Sequence, residues 1–463
     1  MVEVKSKGKT GSLLFVICLG ASLVPFMSSA LNLALPYINE ELSLDAVMSG
    51  WVPASYMLST AILQIPCARI ADMIGRRKIF IWGAVLFTIF SVMSGLATTG
   101  TGLIVYRFLS GVGSAMMFGT STAILTSSVP VEKRGTALGT IAATVYFSLA
   151  AGPFLGGMLT QYFTWHSLFY VSALVSLMVA IGAILVIKED WKEETKSKFD
   201  IIGSILFAIG LSSLIYGFSE LPHIKGFVLI GVGITILIVF GIYEKKQEYP
   251  VFNIRVFLEN RVFRLSSISA LINYSATFAI SFMLSLYLQY VRGLSPRDAG
   301  LILIVQSMVQ ALVSLKSGRL SDKMSATFLT TMGMAIIAVG LFGLCFITDT
   351  TSYYFLITLL VLLGFGFGIF SSPNTNIVMS SVEKKNYSMA SATLGTMRLT
   401  GQSFSMGIAI MAISLMVGNV KITPSVHDEL IVSMKITFVI FFVLCLFGVY
   451  ASSVREKRRS KGA

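Results

Sequence analysis

Apolar stretches of roughly 20 residues, the length an α-helix needs to cross a hydrocarbon core about 30 Å thick, recur from one end of this sequence to the other with short polar breaks. A segment inside lipid must satisfy its own backbone polar groups, so each stretch is predicted as a helix. The predicted spans run at about 12–38, 46–67, 79–98, 102–125, 136–160, 165–187, 200–219 and 224–243, then at about 265–290, 298–317, 325–347, 352–374, 387–418 and 431–452. Fourteen crossings put both ends of the chain on one side of the membrane.

Charge tests that count independently, because Lys and Arg accumulate in cytoplasmic loops. With the N terminus inside, about 28 of the 35 basic residues fall on the cytoplasmic side. Examples are Lys5, Lys7 and Lys9 before the first span, Arg76, Arg77 and Lys78 after the second, and Arg455, Lys457, Arg458 and Arg459 at the end. The expected location is the plasma membrane, with both termini cytoplasmic. The net charge of +13 is then topological, and nucleic acid is not an expected partner. A mean hydropathy of +0.82 with only 12% charged residues excludes the soluble enzyme classes. Cys18, Cys67, Cys345 and Cys445 lie in or at the ends of spans without metal-type spacing, so free thiols are expected.

The hydrophilic stretch "KEDWKEETKSKFD" after the sixth span is the natural joint of the chain. "ARIAD" at 68–72 recurs as "GRLSD" at 318–322, Gly111 and Gly113 recur as Gly364 and Gly366, and "LGT" at 138–140 recurs at 394–396. Each match lands on the corresponding span, so a duplicated bundle of six plus six helices is expected, with two extra spans between. The division is 1–187, an N-terminal bundle; 188–264, a linker carrying the extra spans; and 265–463, a C-terminal bundle. Phe252, Phe257 and Phe263 alternate with charges in the linker and suggest an interfacial amphipathic segment.

Three motifs carry mechanism. In the loop after the second span, "ARIADMIGRRK" sets Asp72 between two helix ends, with Gly75 for a tight turn and Arg76 and Arg77 as cations. Such a charged latch, partly repeated as Asp322, can bias one of two packings of the halves. Arg107 in span four and Arg398 in span thirteen are intramembrane charges, which are functional candidates by default, with snorkelling to the interface as the alternative. "AAGPFLGGML" places Gly152, Pro153, Gly156 and Gly157 in mid-span: a small-residue face for close helix approach, bent by the proline.

These motifs resemble those of the major facilitator superfamily. "ARIADMIGRRK" is similar to its G-x-L-A-D-x-x-G-R-[RK] signature, with Ala68 in place of the first Gly; "YRFLSGVGSA" is similar to its Arg-containing motif, and "SLAAGPFLGG" to its G-P-x-x-G-G antiporter motif. The central pair of spans, "NLALP" at 32–36, "WHSLFYVS" at 165–172 and "TLGTMRLTGQSFSMGIA" at 393–409 resemble the fourteen-span drug:proton antiporters. The resemblance implies an all-α membrane transporter that exports amphiphilic drugs or other small organic compounds by alternating access, exchanging them for protons. It places Arg107, Arg398 and Gln402 near the transport path.

One position departs from the family. Where many members carry an Asp in span one, alignment on Asn32 places Met27. No Asp or Glu falls well inside any predicted span; Asp200 and Glu220 bound the seventh, and Asp45 and Asp298 lie just outside. His166, His223 and His427 fall at outside ends or loops. An uncoupled transporter of neutral or anionic compounds, or a non-transporting sensor or scaffold, is therefore the alternative. Candidate substrate-lining residues are Met27, Asn32, Tyr56, Gln64, Tyr146, Gln306 and Gln310, with Asn273 and Tyr274 as further neutral polar groups. No nucleophile–base set and no metal cluster stands out, so neither catalysis nor a cofactor is expected. The expected partners are a small organic substrate, protons and the lipid bilayer, and the chain is read as a monomer.

Overall fold

A computed structural model describes residues 2–129, 134–191, 199–248, 250–252, 254–321, 324–383 and 387–455. Fourteen candidate spans, each helical and apolar enough to cross a membrane, are present among the described residues. The first six are α1 (Val2–Glu41), α2 (Ala46–Ile74), α3 (Arg76–Gly95), α4 (Gly100–Ser128), α5 (Arg134–Tyr162) and α6 (Trp165–Val186). α7 (Ile201–Ser219) and α8 (Ile224–Glu244) form the extra hairpin, and α9 (Ile254–Glu259) is a short helix in the linker. The second half holds α10 (Arg261–Thr277), α11 (Ile280–Leu286), α12 (Pro296–Leu320), α13 (Ala326–Leu344), α14 (Tyr353–Ser380), α15 (Tyr387–Met416) and α16 (His427–Ser453).

Local chemistry sets the helix starts. Asp45, Thr99, Asp200, Asn260 and Ser325 each accept a backbone N–H of the first turn of the helix that follows, satisfying donors that a helix leaves orphaned. The ninth predicted span is not one helix. The chain breaks after α10 at Phe278 and Ala279, where the Ser405 hydroxyl accepts the Ala279 N–H at 2.9 Å, and it ends in a π-helical turn, Tyr287–Val291. Nothing in the periodicity marks that break, because the serine that satisfies it is far away in sequence.

The repeat is visible as matched helix contacts. α3 and α4 meet at Gly83 and Gly113, where a Cβ on either would strike the carbonyl oxygen of the other, at 2.8 and 2.6 Å. α13 and α14 meet in the same way at Gly333 and Gly366, at 2.7 and 2.8 Å. Gly111 opens α4 to the Tyr56 carbonyl of α2, and Gly364 opens α14 to the Gln306 carbonyl of α12. Small residues let backbones pack without a hydrophobic driving force between helices, which lipid does not supply.

The α7–α8 hairpin lies against both halves, with α7 packed on α2 and on α15. Its turn is held by the Ser414 hydroxyl, which donates to the carbonyls of Ser219 and Leu221 at 3.1 and 2.6 Å. Glu220 in that turn is held below the usual carboxylate range by bonds from Tyr216 and then Lys225. The linker phenylalanines pack on one another and on the second half. Phe257 stacks edge-on with Phe252 and Phe263, and Phe263 is buried with Val378 and Ala390 at the base of the second half.

Candidate functional site

The two halves meet along a seam of α5 against α12, α2 against α15 and α1 against α11. At the end opposite the chain termini, here the far end, the seam is tight. A Cβ on Gly157 would strike the Pro296 carbonyl, and one on Gly300 would come within 2.5 Å of the Pro153 carbonyl. Gly152 and Gly156 face the other way, onto Ser29 and Ala30 of α1. The Gly-Pro-Gly-Gly motif therefore packs α5 against one helix of each half. Hydrogen bonds close the same end: Ser285 Oγ to the Asn32 carbonyl at 2.6 Å, Asn39 Nδ2 to the Tyr290 hydroxyl at 3.1 Å, and the Ala46 N–H to the Val420 carbonyl at 2.9 Å. Arg297 adds bonds to Gln161 and to the Tyr162 hydroxyl.

Near mid-depth the seam carries aromatic and polar side chains from both halves. The Tyr146 hydroxyl of α5 and the Ser371 hydroxyl of α14 are 2.7 Å apart. Tyr274 of α10 adjoins Ser371 and Arg398 and stacks edge-on with Phe367 at 5.4 Å. The Arg398 guanidinium lies 5.4 Å from the centre of the Phe118 ring of α4 and 6.0 Å from that of Tyr274, within cation–π range. Gln402, one turn along α15, is half-buried. On α2, Gln64 is buried against α15 beside Gly395, and its Oε1 has no hydrogen-bond partner among the described residues. On α12, Gln310 is buried and Gln306 half-buried where that helix packs on α14.

Most other candidates lie away from the seam; Asn32 is the exception, since its carbonyl accepts the Ser285 hydroxyl across it. Arg107 is 1% exposed inside the first half, which excludes snorkelling. Its guanidinium sits 4.2 Å over the Tyr56 ring and 5.8 Å from Phe169, and Nε reaches the Val52 carbonyl at 3.5 Å. Neither Nη1 nor Nη2 has a hydrogen-bond partner among the described residues. Tyr56 in turn bonds Ser114. Met27 is fully buried, and its sulfur accepts the Ser172 hydroxyl at 2.8 Å, one turn of α6 from the Phe169 that borders Arg107. Asn32 is buried with its Oδ1 unpartnered among the described residues. Asn273 bonds the Met334 sulfur within the second half and does not reach the seam.

The latch differs from its expected form. Asp72 is not in a loop: α2 continues through it to Ile74, and its carboxylate accepts Arg76 Nε at 2.7 Å within one helical repeat. Arg76 also donates to Ser127 at 2.9 Å. The acid that caps the start of α3 is Asp190, beyond α6, which accepts the Arg77 N–H at 3.1 Å. Arg77 itself donates to the Ile184 and Ile187 carbonyls. Gly75 has φ +134°, and a Cβ there would overlap the Asp190 carboxylate. These bonds tie α2, α3, α4 and α6 together inside the first half. Asp322 lies outside the described residues.

Several seam residues carried no local signal. Ser371, Phe118 and Phe367 are ordinary apolar-span residues until the fold sets them beside Tyr146, Arg398 and Tyr274. One acid was also missed: α8 extends to Glu244, which is 1% exposed. The predicted span stopped one residue short of it.

The sequence family described as Major Facilitator Superfamily matches residues 17–406. The riboflavin transporter RibZ of Clostridioides difficile is 28% identical over 402 residues, covering 86% of this chain and 87% of that protein. The multidrug resistance protein Stp of Mycobacterium tuberculosis is 28% identical over 405 residues, covering 86% of this chain and 74% of that protein. The crystal structure of a bacterial homolog of the human lysosomal transporter Spinster, inward-facing and unoccupied, superposes with a TM-score of 0.70 at 16% identity, covering 97% and 96% of the two chains.

Proposed function

This chain belongs to the Major Facilitator Superfamily and is a membrane transporter, not an enzyme, and on that premise we propose that it exports amphiphilic small organic compounds across the plasma membrane by alternating access. The observation that carries this reading is the mid-depth cluster of Tyr146, Ser371, Tyr274, Phe367, Phe118 and Arg398, drawn from both halves. A compound held there touches both halves at once, so its binding favours one packing of the seam over another. Four aromatic rings with three hydroxyls among them suit a planar, partly polar molecule, and the Arg398 guanidinium favours a neutral or anionic one over a cation. The relatives that transport riboflavin and confer multidrug resistance are compatible with aromatic substrates. Both termini face the cytoplasm on the charge bias, and the transporting unit is the monomer.

Proton exchange is the driving reaction we assign to it, on the antiporter motif at Gly152–Gly157. A second reading, transport without protons, is favoured by Met27, whose sulfur takes a neutral hydroxyl donor where many antiporters of this type carry an acid.

Purified protein in proteoliposomes with an internal pH dye tests both. Challenge with cationic, neutral and anionic aromatic amphiphiles is expected to move protons and substrate in opposite directions. Arg398→Gln is expected to lower uptake of the anionic compounds by about tenfold, which corresponds to roughly 1.4 kcal/mol, while sparing cations. Substrate flux without proton movement would favour the second reading, and no flux with any compound would overturn the transport assignment of this site.

A further inference from the structure

Where α7 begins, Asp200 caps the helix. Its Oδ1 accepts the Gly203 N–H at 2.8 Å and the Tyr243 hydroxyl at 3.2 Å. Its other oxygen, Oδ2, has no hydrogen-bond partner among the described residues. Glu244 ends α8 beside it and is 1% exposed. Glu244 Oε2 accepts the Phe252 N–H at 2.9 Å, and Oε1, like Asp200 Oδ2, has no hydrogen-bond partner among the described residues. The two unsatisfied oxygens converge over Gly203, where a Cβ would strike both. Two ionised carboxylates in that position repel in a low-dielectric setting, and among the described residues neither forms an ion pair with a cation. One proton between them supplies the donor that both oxygens lack.

We propose that Asp200 and Glu244 are a proton-binding site, holding one shared proton between Asp200 Oδ2 and Glu244 Oε1 at the base of the α7–α8 hairpin. Tyr243 is the other titratable group that faces the pair from α8. From α7 the only one among the described residues is Asp200 itself. Lys245 and Lys246 follow Glu244 but are exposed, and exposed Arg255 of α9 is turned to the Lys245 carbonyl at 3.0 Å. A metal is a poor alternative occupant. Calcium takes about six to eight oxygen ligands, and no group of three or more His, Cys, Asp or Glu side chains that could hold a metal occurs among the described residues.

The proton fastens the start of α7 to the end of α8, and its loss sets two like charges against each other at that joint. Because α7 packs on α2 of one half and α15 of the other, proton occupancy acts on an element that touches both halves. The site is independent of which compound is transported.

Infrared spectroscopy of the full chain in lipid nanodiscs tests the site without any transport reaction. At about pH 7 an ordinary Asp or Glu, with a pKa near 4, is ionised. The wild type is expected to show a protonated-carboxyl C=O band at that pH, shifted in deuterium oxide, and Asp200→Asn or Glu244→Gln is each expected to abolish it. Absence of the band in the wild type, or its persistence in either variant, would overturn the proposal. Should a variant fail to remain monodisperse, the wild type decides alone: a band of one carboxyl per chain supports the site, and none rejects it.

Discussion

Gly75 concentrates two demands on one residue. Its φ of +134° is a conformation that side chains strain, and the Asp190 carboxylate that caps α3 occupies the place of its missing Cβ. Gly75→Ala is therefore expected to cost roughly 1–3 kcal/mol, read as a lower midpoint in thermal unfolding of the detergent-purified protein; an unchanged midpoint would mean that the turn relaxes freely. The need for a turn glycine was legible in "DMIGRRK". Its neighbour was not, because Asp190 lies more than a hundred residues away and only the packing of α6 beside α3 delivers it. Arg107 shows the same division. The sequence marks a charge at membrane depth, and the fold decides that it is sealed between Tyr56 and Phe169 instead of reaching the interface.

Matched helix pairs make the duplication a physical statement. Gly83–Gly113 and Gly333–Gly366 solve one packing problem twice, with backbone against backbone. Gly113→Val and Gly366→Val are accordingly expected to destabilise their own halves alike, by about 1–3 kcal/mol each from overpacking. Limited proteolysis of each half, compared between the two variants, checks this; protection of one half together with loss of the other would refute the equivalence. At this scale the sequence was informative about where helices lie, since span length and apolarity follow from the bilayer. It was uninformative about breaks and ends. The interruption at Phe278–Ala279 is stabilised by Ser405, and the end of α8 at Glu244 is covered by the linker at Phe252. Both partners are tertiary.

Across the whole molecule, closure at the far end rests on contacts between halves that must part if a compound is to leave by that route. Asn39 and Tyr290 meet there at 3.1 Å. In a background with the four native cysteines replaced, Asn39→Cys combined with Tyr290→Cys is expected to be bridged by a disulfide-containing bifunctional thiol reagent, arresting transport, with recovery on reduction. Full transport by the crosslinked protein would mean that this contact does not open. Sequence by itself determined the solvent, the number of apolar helices and the duplicated plan, and it marked a small-residue face at Gly152–Gly157, because each follows from the free energy of backbone and charge in lipid or from small residues at fixed spacing. Only the tertiary structure decided which polar groups share a place: Arg398 with Phe118 and Tyr274, Tyr146 with Ser371, and Asp200 with Glu244. Those pairings depend on helices distant in sequence crossing at particular depths, and apolar periodicity carries no record of depth or partner.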